Sequence, residues 1–99
     1  MITGAQCRAG RALAELTREA LARLSGVDAT VIEAFERKLA LPDADKIVAV
    51  TDTLEKAGVV FIPENGGGVG VRLKFTASET KRIGILESEG GVSALDDVS

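Results

Sequence analysis

Cys7 is the single cysteine of the chain, and no His, Tyr or Trp accompanies it. Without an imidazole, no Ser-His or Cys-His pair can generate a nucleophile. One cysteine also falls short of the four ligands of a closed structural zinc site, and it cannot form an intrachain disulfide framework. Cys7 therefore reads as a small filler on a helix. Carboxylates and lysines are present, but no spacing among them argues for catalysis. Gly66-Gly67-Gly68 is not followed by the Lys and Ser/Thr of a phosphate-cradling loop, and it precedes a strand where such a loop precedes a helix, so it reads as a turn. The expectation is a protein that is not an enzyme and holds no cofactor or metal.

The bulk properties fit that expectation. The chain has 99 residues and a net charge of −3; 45% of its residues are hydrophobic and 27% charged, which is the range of a folded domain rather than a disordered one. No apolar run approaches the roughly 20 residues of a membrane span, and Met1-Ile2-Thr3-Gly4 does not open a signal peptide. A cytoplasmic protein is expected.

Four helices can be placed from caps and periodicity. Thr3 and Gln6 form a capping-box pattern at the head of the first, which would carry Ala5, Ala9, Ala12, Leu13 and Leu16 inward. Thr17 caps a short second helix, Arg18 to Leu24, with Leu21 and Leu24 inward. Gly26 breaks the pattern. Asp28 then caps a third helix, Ala29 to Lys38, whose apolar stripe is Val31, Ile32 and Phe35. After a connector ending at Pro42, Asp43 caps a fourth helix, Ala44 to Ala57, with Ile47, Leu54, Ala57 and either Val48 or Val50 inward. Beyond Gly58 the period changes to two. Val59 to Ile62 and Val69 to Phe75 read as the strands of a hairpin, joined by Pro63-Glu64-Asn65-Gly66-Gly67-Gly68. Thr76 and Glu79 suggest a fifth, short helix from about Ala77 to Leu86, followed by a flexible acidic tail.

Residues 16–37 combine a short helix, a turn of three residues containing Gly26, and a second short helix. This is the helix-turn-helix pattern. Ala22 leaves room for the next helix, Val27 and Ile32 close the wedge between the two, and Asp28 leaves the following turn exposed. With Gly26, Val27, Ile32, Phe35-Glu36-Arg37 and Pro42 in these places, the sequence resembles the Cro/C1-type (XRE-like) helix-turn-helix transcriptional regulators over about residues 2–42. The stretch from Ala57 to Gly68 also looks like the hairpin of small bacterial members. The resemblance implies a mainly α, lambda-repressor-like DNA-binding domain over residues 1–58. It is followed by a β-hairpin at 59–75, expected to be a dimerisation element, and by a short helix and flexible acidic tail at 76–99.

Carried over residue by residue, the resemblance puts Arg18 on a DNA phosphate at the head of the second helix. Ala29, Thr30, Glu33 and Ala34 face the major groove, Arg37 and Lys38 lie near phosphates, and Arg11 pairs with Glu36. The sequence departs from the family where Arg18 replaces the usual Gln and Lys38 the usual Gly. Ala29 and Ala34 offer methyl contacts but no hydrogen bonds, so specificity would fall to Thr30, Arg18 and DNA shape. Residues 1–42 hold six basic and five acidic residues, whereas residues 43–64 hold two and five, so negative charge lies mostly away from the motif. A net of +1 is weak for a polyanion, which points to a homodimer on double-stranded DNA. Its partner-facing residues would be Val59, Phe61, Val69, Val71, Leu73 and Phe75, on strands with unpaired edges. The acidic balance and the two alanines motivate an alternative: a protein-interaction module on the same scaffold, such as an antitoxin or anti-activator, with a protein partner. A membrane partner is not expected.

Overall fold

The computed structural model of the protein describes residues 1–74. Four helices, α1 (Gly4–Leu13), α2 (Arg18–Ser25), α3 (Ala29–Glu36) and α4 (Ala44–Lys56), are followed by the strands β1 (Val59–Ile62) and β2 (Gly70–Leu73). The strands form an antiparallel pair in which Val59 faces Leu73 and Phe61 faces Val71. The expected helix over 77–86, the acidic tail and Phe75 lie outside the described residues. No helix among the described residues is long and apolar enough to cross a membrane.

The helix boundaries follow from local chemistry. At the head of α1 the Thr3 hydroxyl accepts from the Gln6 amide while the Gln6 side chain accepts from the Thr3 amide, the full capping box. Thr17 caps α2 through the Ala20 amide at 3.0 Å. Asp28 and Asp43 occupy the N-cap positions of α3 and α4 in extended backbone, yet neither side chain makes the capping hydrogen bond expected of it. Helix α2 ends at Gly26, whose φ of 78° is the left-handed conformation that a side chain disfavours. The Ser25 hydroxyl accepts from the Val27 amide and tightens the turn.

Helices α1 and α3 stop earlier than their apolar pattern suggests, for the same reason. Glu15 and Lys38 adopt positive φ, 59° and 61°, and the amides that follow fold back. Leu16 donates to the Arg11 carbonyl and Leu39 to that of Ala34, each six residues to one, the Schellman closure. Leu16 thus reaches the core from beyond α1 and not from its surface.

The core consists of Ile2, Cys7, Leu21, Val27, Ile32, Phe35, Ile47, Val50, Leu54 and Val59. On α4, Val50 is buried and Val48 is exposed. The expected inward face of α1 is rotated: Ala5, Ala12 and Leu13 are exposed, while Gly4, Gln6, Cys7 and Gly10 are buried. Leu24 and Ala57, also expected inside, face solvent. The rotation follows from close approach. A Cβ at Gly4 would collide with the Phe35 carbonyl oxygen at the end of α3, and one at Gly10 would press on Val59 and Phe61 at 3.1–3.2 Å. The backbone of α1 is the platform on which both α3 and the hairpin rest.

Gln6 fixes the hairpin to that platform. While its carbonyl oxygen caps Thr3, its amide nitrogen donates to the carbonyls of Ile62 (3.2 Å) and Gly70 (2.9 Å), the facing ends of β1 and β2. An isolated hairpin is marginal in water, so this clamp and the apolar face of Val59, Phe61, Val71 and Leu73 make it part of the domain. Gln6→Ala removes one side of the capping box and leaves both carbonyls without their donor. Stability in urea melts should fall by about 2 kcal/mol, with amide exchange accelerating most in β1 and β2.

Candidate nucleic-acid interface

The α2–turn–α3 unit is held from behind by one carboxylate. The Glu36 side chain, on the last turn of α3, is fully buried. Its Oε1 accepts from Arg11 Nη2 and from Arg18 Nε, both at 2.9 Å, and its Oε2 accepts from Arg11 Nε at 2.9 Å and the Cys7 thiol at 3.3 Å. An ionised carboxylate has about four acceptor sites, so Glu36 is saturated. The grip of Arg11 is bidentate and charge-assisted, the stronger form of such pairs. Arg11 Nη1 also donates to the Leu16 carbonyl in the α1–α2 connection, so all three of its side-chain nitrogens are engaged.

Burial by itself would raise the pKa of Glu36, but hydrogen bonds from Arg11, Arg18 and Cys7 outweigh it and hold the carboxyl below its ordinary value. The same environment acts on Cys7 in the opposite direction. Burial first, and then the charge and hydrogen bond of Glu36, push its thiol up to about 12. A buried thiol with that pKa is not a nucleophile at neutral pH.

Around this anchor, α3 turns an open face outward. Thr30 is exposed, and Ala29, Glu33 and Ala34 are half-buried. Arg37 and Lys38, just past the end of α3, are exposed. Both carboxylates of the helix are paired: Glu36 inside the protein, and Glu33 on the surface with Arg37 Nη1 at 3.1 Å. Arg18, at the first position of α2, keeps 31% of its side chain exposed while Nε holds Glu36. The seven residues assigned to DNA by resemblance thus lie on two adjoining helices and the turn after α3. Two of them have additional partners that the sequence did not disclose, Arg18 with Glu36 and Arg37 with Glu33.

The residues expected at a dimer contact divide differently. Val59 is 2% exposed inside the chain's own core, so its side chain is removed from any partner-facing set. It lies at the start of β1, where the strand drops onto α1 and α4. Phe61, Val71 and Leu73 are half-buried against the same core. Val69 lies just outside β2 and is exposed.

Sequence reasoning missed Gln6 as the hairpin clamp and Arg18 as a second ligand of Glu36. Neither leaves a local signal, because each pairs residues far apart in the chain. Compared with known families and with curated proteins, the chain matches neither a family model nor a curated sequence.

Three outcomes follow from this geometry. Because the Glu36 pKa is lower in the folded chain, its contribution to stability is complete above the unfolded carboxylate range and is lost as pH falls through the folded value. Stability measured by denaturant melts from pH 7 downward should drop below about pH 4. Glu36→Gln should flatten that limb and cost about 3 kcal/mol at neutral pH, the lower end for a broken buried pair because both arginines keep some water. Lys38 holds a conformation that costs a side chain about 1 kcal/mol, so Lys38→Gly should raise stability by about that amount in the same melts.

Proposed function

We propose that α2, the turn at Gly26 and α3 form a helix-turn-helix motif of the lambda-repressor type, and that the protein is a sequence-specific DNA-binding regulator acting as a homodimer. In this reading α3 enters the major groove. Thr30 meets base edges, Ala29 and Ala34 meet thymine methyls, and Arg18, Arg37 and Lys38 meet phosphates. The observation that carries the reading is the charge state of the α3 face. Glu36 is withdrawn into the protein and Glu33 is paired with Arg37, so no carboxylate within α3 stands unpaired, while Lys38 is exposed and Arg18 partly so. Asp28, at the N-cap beside Thr30, is the exposed acidic neighbour. A net charge of −3 on the whole chain is then tolerable, because much of it lies on α4, where Asp43, Asp45, Asp52 and Glu55 are exposed. Two copies on a palindrome double a contact that is weak in one.

A second reading keeps the scaffold and exchanges DNA for a protein partner, favoured by the methyl-lined face at Ala29 and Ala34 and by the acidic α4. One experiment separates them. Fluorescence anisotropy against a random-sequence duplex pool should give binding that weakens steeply between about 50 and 200 mM salt. Arg37→Ala should weaken all sequences alike and reduce the salt slope by about one unit. Sites selected from the pool should be palindromic, with half-site centres about 10 base pairs apart. Absence of binding at the low salt concentration would leave the protein-interaction reading in place.

A further inference from the structure

We infer that Arg18 is a two-ended clamp: Glu36 fixes its guanidinium from inside the protein through Nε, so that its Nη1 and Nη2 edge is presented ready-oriented to a single phosphodiester, and Glu36 is thereby a positioning residue for DNA. The inference rests on the DNA-binding reading and adds a division of labour between the two arginines on one carboxylate. Arg11 has every side-chain nitrogen occupied, by Glu36 and by the Leu16 carbonyl, and its side chain is 17% exposed. Arg18 uses Nε alone. Among the described residues its Nη groups donate to nothing, and its side chain is 31% exposed.

The charge of the cluster points the same way. Two guanidiniums share one buried carboxylate, a positive surplus within the cluster beside which Glu19 also lies, and Arg18 is the more exposed of the two. Glu36 has no acceptor site left to take up more of it. The guanidinium is planar and rigid, so fixing Nε also fixes the direction of the two Nη groups, which match the spacing of two phosphate oxygens. A lysine at the same position has one nitrogen on a flexible stem. It can sit on Glu36 or on phosphate, and it transmits no orientation from one to the other. Glutamine, the residue the resembling family has here, forms no ion pair with Glu36. A side chain already ordered in the free protein loses less freedom on binding, which is worth roughly three- to tenfold in affinity.

The test uses the full chain and duplex DNA, with Arg18→Lys, Arg18→Ala, Glu36→Gln and the Arg18→Ala/Glu36→Gln double variant, each checked for folding by circular dichroism. Arg18→Lys keeps the charge and leaves the bidentate grip of Arg11 on Glu36 in place, so it is the mildest of these changes for folding. It should bind DNA roughly three- to tenfold more weakly than wild type, close to Arg18→Ala. Glu36→Gln should weaken DNA binding in the wild-type background and leave it unchanged when Arg18 is already Ala, a difference that a merely structural role would not produce. In the free protein, NMR of the arginine Nε–H groups should show that of Arg18 ordered, and mobile in Glu36→Gln. Arg18→Lys binding as well as wild type would overturn the clamp while leaving the DNA reading intact, and so would equal weakening by Glu36→Gln in both backgrounds. Should Glu36→Gln fail to fold, Arg18→Lys decides alone. Wild type without affinity for DNA at low salt overturns both.

Discussion

The carboxylate of Glu36 lies out of water where α1, α2 and α3 meet, and the arrangement of those helices depends on keeping it satisfied. A carboxylate buried alone would cost several kcal/mol, enough to consume much of the stability of a domain this size. The protein meets that cost with Arg11 from α1, Arg18 from α2 and the Cys7 thiol from α1. Apolar contact between helices is non-directional and would tolerate small rotations. Four directed hydrogen bonds to one group do not, so the cluster sets the angle at which α3 leaves the body of the protein. In the proposed function, a helix that enters a groove depends on that orientation as well as on stability.

Helix α1 serves two neighbours at once, and its composition reflects it. Its buried side carries Gly4, Gln6, Cys7 and Gly10, with no bulky hydrophobe among them. Glycines let the end of α3 and the hairpin come to the helix backbone, and the larger apolar side chains are supplied from outside by Phe35, Val59 and Phe61. Gln6 and Cys7, adjacent in sequence, perform the two polar tasks of that side: one bonds both strands of the hairpin, the other completes the shell of Glu36. The helix that supports the proposed recognition unit is therefore the same one that holds β1 and β2, which couples the hairpin to the orientation of α3 through a rigid element.

The outward face of α3 is poor in hydrogen-bonding groups and nearly free of uncompensated negative charge. Those two properties suit a surface that relies on shape, methyl contacts and a few positioned cations. Contacts to phosphate fix register and orientation without reading sequence, whereas base contacts discriminate. In the proposed DNA-binding reading, with Thr30 as the one exposed hydroxyl among Ala29, Thr30, Glu33 and Ala34, positioning carries unusual weight. That positioning is what we infer the pairing of Arg18 with buried Glu36 to supply.

Most of the secondary structure was legible in the sequence because its signals are local. Thr3, Thr17, Gly26 and Gly58 mark helix ends through the conformations and hydrogen bonds of their immediate neighbours, and the alternation through Val71 and Leu73 marks a strand with one covered side. The pairing of Arg11 with Glu36 was anticipated from resemblance alone. The rest depended on where distant segments come to lie. Ala5, Ala12 and Leu13 had the spacing of a core face, but a helix buries the side its neighbours reach, and the glycines of α1 drew them to the opposite side. Leu24 has the periodicity of a buried residue and has nothing packed over it. The sequence by itself determined the elements, the caps at Thr3, Thr17 and Gly26, and the charged residues available to a partner. Only the tertiary structure decided that Gln6 holds a hairpin more than fifty residues away and that Arg18 shares the carboxylate of Arg11. Hydrogen bonds between residues remote in the chain require a geometry that exists only once the helices have packed.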